Sequence, residues 1–70
     1  MGEESLAMKE FQVERKTIRL SLNANARGRF LRITEATSGK RSAVIIPDTG
    51  LAEFGKALAE MMRAAEGIEG

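Results

Sequence analysis

The sequence contains no cysteine and no histidine, and each absence argues against a kind of site. Without cysteine there can be no disulfide and no thiolate ligand, and without either residue a structural zinc site is not expected. Histidine is also the commonest general base in enzymes. We therefore expect no cofactor and no metal, and the missing cysteine fits a reducing compartment.

Long hydrophobic runs are absent as well. No apolar stretch approaches the length that crosses a membrane, and the first five residues lack the basic and apolar regions of a signal peptide. The sequence has no nucleophile with a base, no phosphate-binding loop and no dinucleotide fingerprint. We predict a soluble chain that is not exported, contacts no membrane, takes no small-molecule substrate and is not an enzyme.

The length of 70 residues allows one small domain. A domain of this size buries a modest fraction of its surface and usually depends on a disulfide, a metal or a partner. Since the first two are not expected, association with a second copy is the stabilising device that remains. No internal repeat is visible, so a two-fold pair would need a second chain.

Charge is distributed unevenly, although the formal net charge is only +1. The segment from Arg15 to Arg41 contains eight basic residues and one acid, Glu35, which gives a net charge of +7. The two flanks together carry −6. This segregation creates a local positive field, although charge alone fits solvated turns and strand edges equally well.

Alternation of apolar and polar residues predicts four strands followed by a helix. The clearest strand is 16–23, where every second residue is apolar. The other predicted strands are 6–15, 29–35 and 42–46, with turns at 25–28 and 38–41. Gly28 would supply a backbone conformation that other residues resist, and Pro47 would end the sheet.

The predicted helix ends near Ala65, with Asp48 or Thr49 as its N-cap and Gly67 as its stop. One stripe of this helix is apolar and contains Leu51, Phe54, Leu58, Met61, Met62 and Ala65. The expected fold class is α+β, a four-stranded antiparallel meander followed by one C-terminal helix. Because one helix covers only part of such a sheet, the pattern again favours a homodimer.

The most informative segment is 25–33, with the sequence Asn-Ala-Arg-Gly-Arg-Phe-Leu-Arg-Ile. Leu31 and Ile33 would face the core of the sheet, whereas Phe30 and Arg32 would face away from it. An exposed ring among cations is typical of surfaces that stack unpaired bases beside their phosphates. The alternative for Phe30 is packing beneath a loop or a partner.

Other polar residues near this segment allow more than one interpretation. Arg19 shares the outward face and is, like Arg32, a candidate for phosphate contact. Asn25 either holds its turn through the backbone or reads a base edge. Arg27 either contacts phosphate or only lies on the turn. Three further cations are not expected to bind, namely Arg29, which would pair with an acid on the helix, and Lys40 and Arg41.

The stretch 14–35, with its Asn-x-Arg-Gly-Arg-Phe-Leu-x-Ile core, resembles the repeat of the PUR family of purine-rich-element-binding proteins. The residues 50–54 and 57–58 resemble the helix that closes this repeat, and the likeness covers about 12–62. It implies a ββββα repeat of the whirly-like class at 6–66, after a disordered N-terminus at 1–5 and before a tail at 67–70. Two such repeats intertwine, which for a single-repeat chain implies a homodimer.

The resemblance also implies binding to single-stranded DNA or RNA that is rich in purine, chiefly G. Asn25, Arg27 and Phe30 stand at positions that match the family's contacts. Asn23 stands where the family usually has lysine, and Arg19 where it has an aromatic, so binding would depend more on charge and less on stacking. The candidate nucleic-acid-binding residues are Arg19, Asn23, Asn25, Arg27, Phe30 and Arg32.

Two functions follow as hypotheses. The first is a homodimeric single-stranded nucleic-acid-binding protein that regulates transcription or another nucleic-acid process. The second is a dimerisation or adaptor module whose basic segment meets an acidic protein partner. The expected location is the cytoplasm, associated with the nucleoid, for a bacterial chain, or the nucleus and cytoplasm for a eukaryotic repeat.

Overall fold

The computed structural model describes residues 2–67, which form four strands and one helix. In chain order these are β1 (Glu4–Val13), β2 (Lys16–Asn25), β3 (Gly28–Thr37), β4 (Lys40–Pro47) and α1 (Leu51–Glu66), with a 3-10 turn at Asp48–Gly50 before the helix. The strands lie side by side in chain order, and neighbours are antiparallel. The predicted meander with one C-terminal helix is therefore confirmed. The division into 1–5, 6–66 and 67–70 stays a prediction, and residues 68–70 lie outside the described residues.

Strand register divides the sheet into two faces of opposite character. Leu22 lies opposite Leu31, and Leu31 lies opposite Ile46. Alternation along each strand then groups the apolar side chains on one face. We call this the apolar face, and it contains Ile18, Leu20, Leu22, Leu31, Ile33, Val44 and Ile46. We call the other the basic face, and it contains Arg19, Ser21, Asn23, Phe30, Arg32, Thr34 and Arg41.

β1 begins at Glu4, earlier than the start at residue 6 that the sequence pattern predicts. The cause is a register irregularity between Ser5, which lies opposite Asn23, and Ala7, which lies opposite Leu22. The extra residue, Leu6, shifts the alternation by one position, as a bulge does. A simple two-residue period therefore fails at this point of the sequence.

The start of the helix differs from the prediction. Neither Asp48 nor Thr49 caps α1, because the 3-10 turn at Asp48–Gly50 intervenes and no side chain caps either element. The Asp48 carboxylate instead accepts a hydrogen bond from Arg29 at 3.2 Å. Arg29 thus pairs with an acid, as predicted, but the acid lies in the turn before the helix.

The described chain has no hydrophobic core of its own. Across residues 2–67 no hydrophobic side chain is buried, and Met61 on the apolar stripe of α1 is 62% exposed. The helix meets the sheet mainly at β4, the strand that precedes it, and the chain measures 49 × 31 × 16 Å. Neither the apolar face nor the helix stripe is therefore covered by its own chain.

Candidate nucleic-acid interface

The candidate site occupies the basic face where β2 and β3 meet. The cross-strand pairs Asn23–Phe30 and Ser21–Arg32 bring three predicted binding residues together with Ser21. Side chains that are directly opposite in an antiparallel pair have Cβ atoms about 5 Å apart, which is contact range. The register thus places Phe30, Arg32 and Asn23 in one cluster at the end of the sheet near the β2–β3 turn.

Phe30 is partly exposed and has a cation beside it. The Arg32 guanidinium lies 5.5 Å from the centroid of the Phe30 ring, within the range of a cation–π contact. The ring lines a depression of about 390 Å³, together with Asn25, Arg27 and Pro47 among others. Phe30 and Arg32 face away from Leu31 and Ile33, as the alternation predicts.

The β2–β3 turn is held by one of its own side chains. The Asn25 Oδ1 atom accepts a hydrogen bond from the backbone N–H of Arg27 at 2.9 Å. Gly28 follows with a φ of +131°, a conformation that residues with a Cβ rarely adopt. Of the two interpretations of Asn25, the turn-holding one is present in the structure, and base reading stays a prediction. The Arg27 side chain is exposed at the tip.

Asn23 is the one side chain in the described range that is buried, at 3% exposure. Its Oδ1 atom accepts a hydrogen bond from the Ser21 hydroxyl at 2.9 Å, which orients the amide. The Nδ2 atom has no hydrogen-bond partner among the described residues. A buried donor without an acceptor is uncommon in proteins, and this one lies directly beside Phe30.

Both predicted phosphate-binding arginines already have carboxylate partners. Arg32 binds Glu3 through two hydrogen bonds, Nη2 to Oε2 at 2.6 Å and Nη1 to Oε1 at 3.2 Å. Arg19 binds Glu10 through Nη2 at 3.0 Å and Nε at 3.2 Å. A bidentate carboxylate uses the same fork of guanidinium donors as a phosphate. The place of Glu3 depends on the bulge in β1, and that of Glu10 on the register of β1 against β2, so the pattern of one strand predicts neither.

The Glu3–Arg32 pair crosses the face above Asn23. Glu4 lies opposite Ala24, so Glu3 stands level with Asn25, whereas Arg32 lies opposite Ser21. The line between these register positions passes over β2 near Asn23, midway between them. The hydrogen bond from Arg32 lowers the pKa of the Glu3 carboxyl, and the same bond raises the pKa of the guanidinium.

A second depression lies further along the same face. Its volume is about 530 Å³, and Arg19, Arg32 and Arg41 line it. Arg41 is predicted to lie in a turn, but it lies in β4 opposite Ala36 and therefore on the basic face. Only the strand register, which brings Arg41 to this face, reveals its place in the depression.

Comparison with known proteins identifies the family. A family model described as PurA ssDNA and RNA-binding protein matches residues 2–68, nearly the whole chain. The chain belongs to the PurA family. Transcription factor Pur-alpha 1 of Arabidopsis thaliana is 45% identical over 49 residues, which are 70% of this chain. The chain spans 17% of the length of that curated relative.

Membership of the PurA family confirms the PUR repeat that the 25–33 segment predicts. The family is one of nucleic-acid-binding proteins, which supports the prediction that this PurA chain is not an enzyme. Over residues 2–67 the structure contains no group of three or more His, Cys, Asp or Glu that could hold a metal ion. In the same range no helix is long and apolar enough to cross a membrane.

Proposed function

We propose that this chain binds single-stranded DNA or RNA on its basic face, with one base stacked on Phe30. The observation that carries the proposal is the cluster of a partly exposed ring, a guanidinium 5.5 Å from it and a buried amide donor without a partner. Aromatic stacking beside cations is the arrangement by which sequence-tolerant single-strand sites work.

Each candidate residue has a role that follows from its place on the face. A base on Phe30 would present its edge to the neighbouring strand, where the Asn23 Nδ2 atom is a buried donor without a partner. Arg32 and Arg19 would exchange their glutamate partners for phosphates. The exposed Arg27 at the turn would contact the strand as it leaves the ring, and Asn25 holds that turn in place.

We propose further that the binding unit is an intertwined homodimer. The uncovered apolar face and the uncovered stripe of α1 support this, because together they form the two layers of one hydrophobic core. A second copy would place its helix on the first copy's sheet and receive the first copy's helix in return. Both basic faces would remain on the outside of such a pair, available to a strand.

The preference for purine-rich, chiefly G-rich, strands and a role in transcription are also part of the proposal. The support for the first is the likeness of the 25–33 segment to purine-element-binding repeats. The support for the second is the Arabidopsis relative, whose name describes a transcription factor. Since stacking tolerates every base, a donor such as Asn23 Nδ2 is the group through which a base could be selected.

The test is a set of Phe30 variants assayed by fluorescence anisotropy with a labelled G-rich single strand. Phe30→Ala and Phe30→Leu should each weaken binding by about 1–3 kcal/mol, or about 5- to 150-fold, because both remove the ring. Phe30→Tyr, the matched control, should bind nearly as well as the parent. Circular dichroism verifies the fold of each variant. If Phe30→Leu binds like the parent, no base stacks on this residue.

An adaptor that binds an acidic protein is the second candidate. The observation in its favour is that Arg19 and Arg32 already hold carboxylates, which is how such a partner would be bound. Competition between a G-rich strand and a poly-glutamate peptide distinguishes the two candidates. Preference for the peptide at equal charge would support the adaptor and contradict the nucleic-acid proposal.

A further inference from the structure

The depression beyond Phe30 has cations and hydroxyl groups but no ring. Arg19, Arg32, Arg41 and the hydroxyl-bearing Thr34 line it, and the one acid among the described lining residues is Glu10. None of the described residues that line it is aromatic. Guanidinium and hydroxyl groups are the donors that proteins place against phosphate oxygens. The chemistry of this depression therefore fits a sugar–phosphate backbone rather than a base.

Among the three arginines of this depression, Arg41 is the one without a carboxylate partner in the described part of the chain. Arg19 is paired with Glu10 and Arg32 with Glu3. Arg41 is exposed and forms no ion pair within residues 2–67. Its neighbour in sequence, Lys40, lies opposite Thr37 and so belongs to the apolar face. One of these two adjacent cations thus stands on the basic face and the other does not.

The distance between Phe30 and Arg41 is compatible with one short strand. Arg41 lies opposite Ala36, six residues along β3 from Phe30. At about 3.3 Å per residue of strand, the separation is about 20 Å. A stacked single strand advances about 3.4 Å per nucleotide, so about seven nucleotides span this separation. A trinucleotide, which advances about 7 Å over its two steps, does not.

We propose that Arg41, with the hydroxyl of Thr34, forms a second subsite that binds the phosphodiester backbone of the strand stacked on Phe30. This inference rests on the proposed function and extends it from one base position to a track along β2 and β3. The first subsite contacts a base, and the second contacts phosphate whatever the base. The track runs from the β2–β3 turn to the start of β4.

The experiment compares Arg41→Ala with Lys40→Ala, using a heptanucleotide and a trinucleotide of the same G-rich sequence. Chemical-shift titration measures both affinities, the trinucleotide being a weak ligand. Arg41→Ala should weaken binding of the heptanucleotide several-fold. It should also reduce the salt slope of that affinity by about 0.7, the value for one lost phosphate contact. It should leave trinucleotide binding unchanged, and Lys40→Ala should change neither.

The outcomes separate this inference from the proposed function. Equal losses for Arg41→Ala and Lys40→Ala would mean that Arg41 acts only through its charge, and the subsite would be excluded. If Arg41→Ala weakens binding of both oligonucleotides equally, Arg41 belongs to the Phe30 subsite, and the proposal of a second subsite is overturned. If the parent protein binds neither oligonucleotide, the proposed function itself fails, and the inference fails with it.

A second arm tests that the subsite takes backbone and not bases. Three nucleotides at one end of the heptanucleotide are replaced by abasic sugar–phosphates, and the opposite end is replaced in a second probe. One of the two probes should keep the affinity of the native heptanucleotide, because its abasic end lies at Arg41. Loss of affinity with both probes would contradict the assignment to backbone.

Discussion

Glu3 binds the guanidinium group of Arg32, which in the proposed function binds a phosphate of the nucleic acid. Its two oxygens bind Arg32 at 2.6 and 3.2 Å, and the pair passes over Asn23 beside Phe30. A strand that stacks on Phe30 must therefore displace Glu3 to bind Arg32. Both side chains are substantially exposed, so the pair itself contributes little to stability, and its main effect is competition.

Removal of this carboxylate should strengthen binding. We expect Glu3→Gln to raise the affinity for a G-rich single strand several-fold and to steepen its salt slope by up to about 0.7, since Arg32 becomes available to a phosphate. Fluorescence anisotropy at several salt concentrations measures both quantities. The matched control is Glu4→Gln, which removes the same charge next to Glu3 but on the opposite face, opposite Ala24.

A gain that is equal for Glu3→Gln and Glu4→Gln would show that only net charge matters. An affinity of Glu3→Gln below that of the parent would contradict the competition directly, since it would require Glu3 to support the bound state.

At the scale of elements, the sequence predicts β2 and β3 well because their alternation is uninterrupted and one face is apolar. It fails at the start of β1, where the extra residue Leu6 shifts the register. The helix cap is also missed, because Asp48 satisfies Arg29 rather than the helix N-terminus. Side-chain propensity cannot predict whether Asp48 caps the helix or binds Arg29, because the second contact joins residues 19 positions apart.

In the candidate site, too, residues set by the pattern of one strand can be predicted, and residues set by strand pairing cannot. Phe30 and Arg32 can be predicted because they depend on the period of one strand. Glu3 and Arg41 belong to β1 and β4, and their place on the basic face depends on pairing across the whole sheet. Asn23 is recognisable from its position in the family's motif, but its burial in the middle of the sheet, between Ser5 and Phe30, depends on strand pairing. Local pattern therefore specifies the middle of this interface, and strand register specifies its edges.

The β2–β3 hairpin offers a prediction about stability. Gly28→Ala places a Cβ on a residue with a φ of +131°, where the added atom meets no neighbour but the backbone itself is strained. We expect a loss of about 1–3 kcal/mol in the free energy of unfolding, measured by chemical denaturation. Gly67→Ala is the matched control, because its φ of −84° suits any residue. Equal effects of the two substitutions would mean that the turn relaxes without cost.

The whole molecule has more surface than a compact chain of its mass. A folded protein of 7.6 kDa is expected to expose about 4,300 Å², whereas this chain exposes 5899 Å². Its radius of gyration is 14.3 Å, against about 11 Å expected for 70 residues. The excess of about 1,600 Å² per chain matches the area that permanent homodimers bury, which is about 2,000–5,000 Å² for both partners together.

Substitutions at two adjacent residues of β4 can test whether the chain forms a homodimer. Val44 and Ile45 are 51% and 47% exposed, but Val44 lies on the apolar face and Ile45 on the basic face. A monomer would tolerate a charge at either position alike. In the proposed dimer only Val44 is buried by the partner's helix, so Val44→Asp would bury an unpaired carboxylate and cost about 2 kcal/mol or more.

We therefore expect Val44→Asp to be monomeric or unfolded and Ile45→Asp to keep the dimer mass, as measured by sedimentation equilibrium with circular dichroism alongside. Concentration supplies an independent check, because the melting temperature of an obligate dimer rises with protein concentration. A parent protein with the mass of one chain and a concentration-independent melting temperature would contradict the dimer. A 70-residue monomer would then be stable although none of its described hydrophobic side chains is buried. Small domains depend on a hydrophobic core, so we do not expect that result.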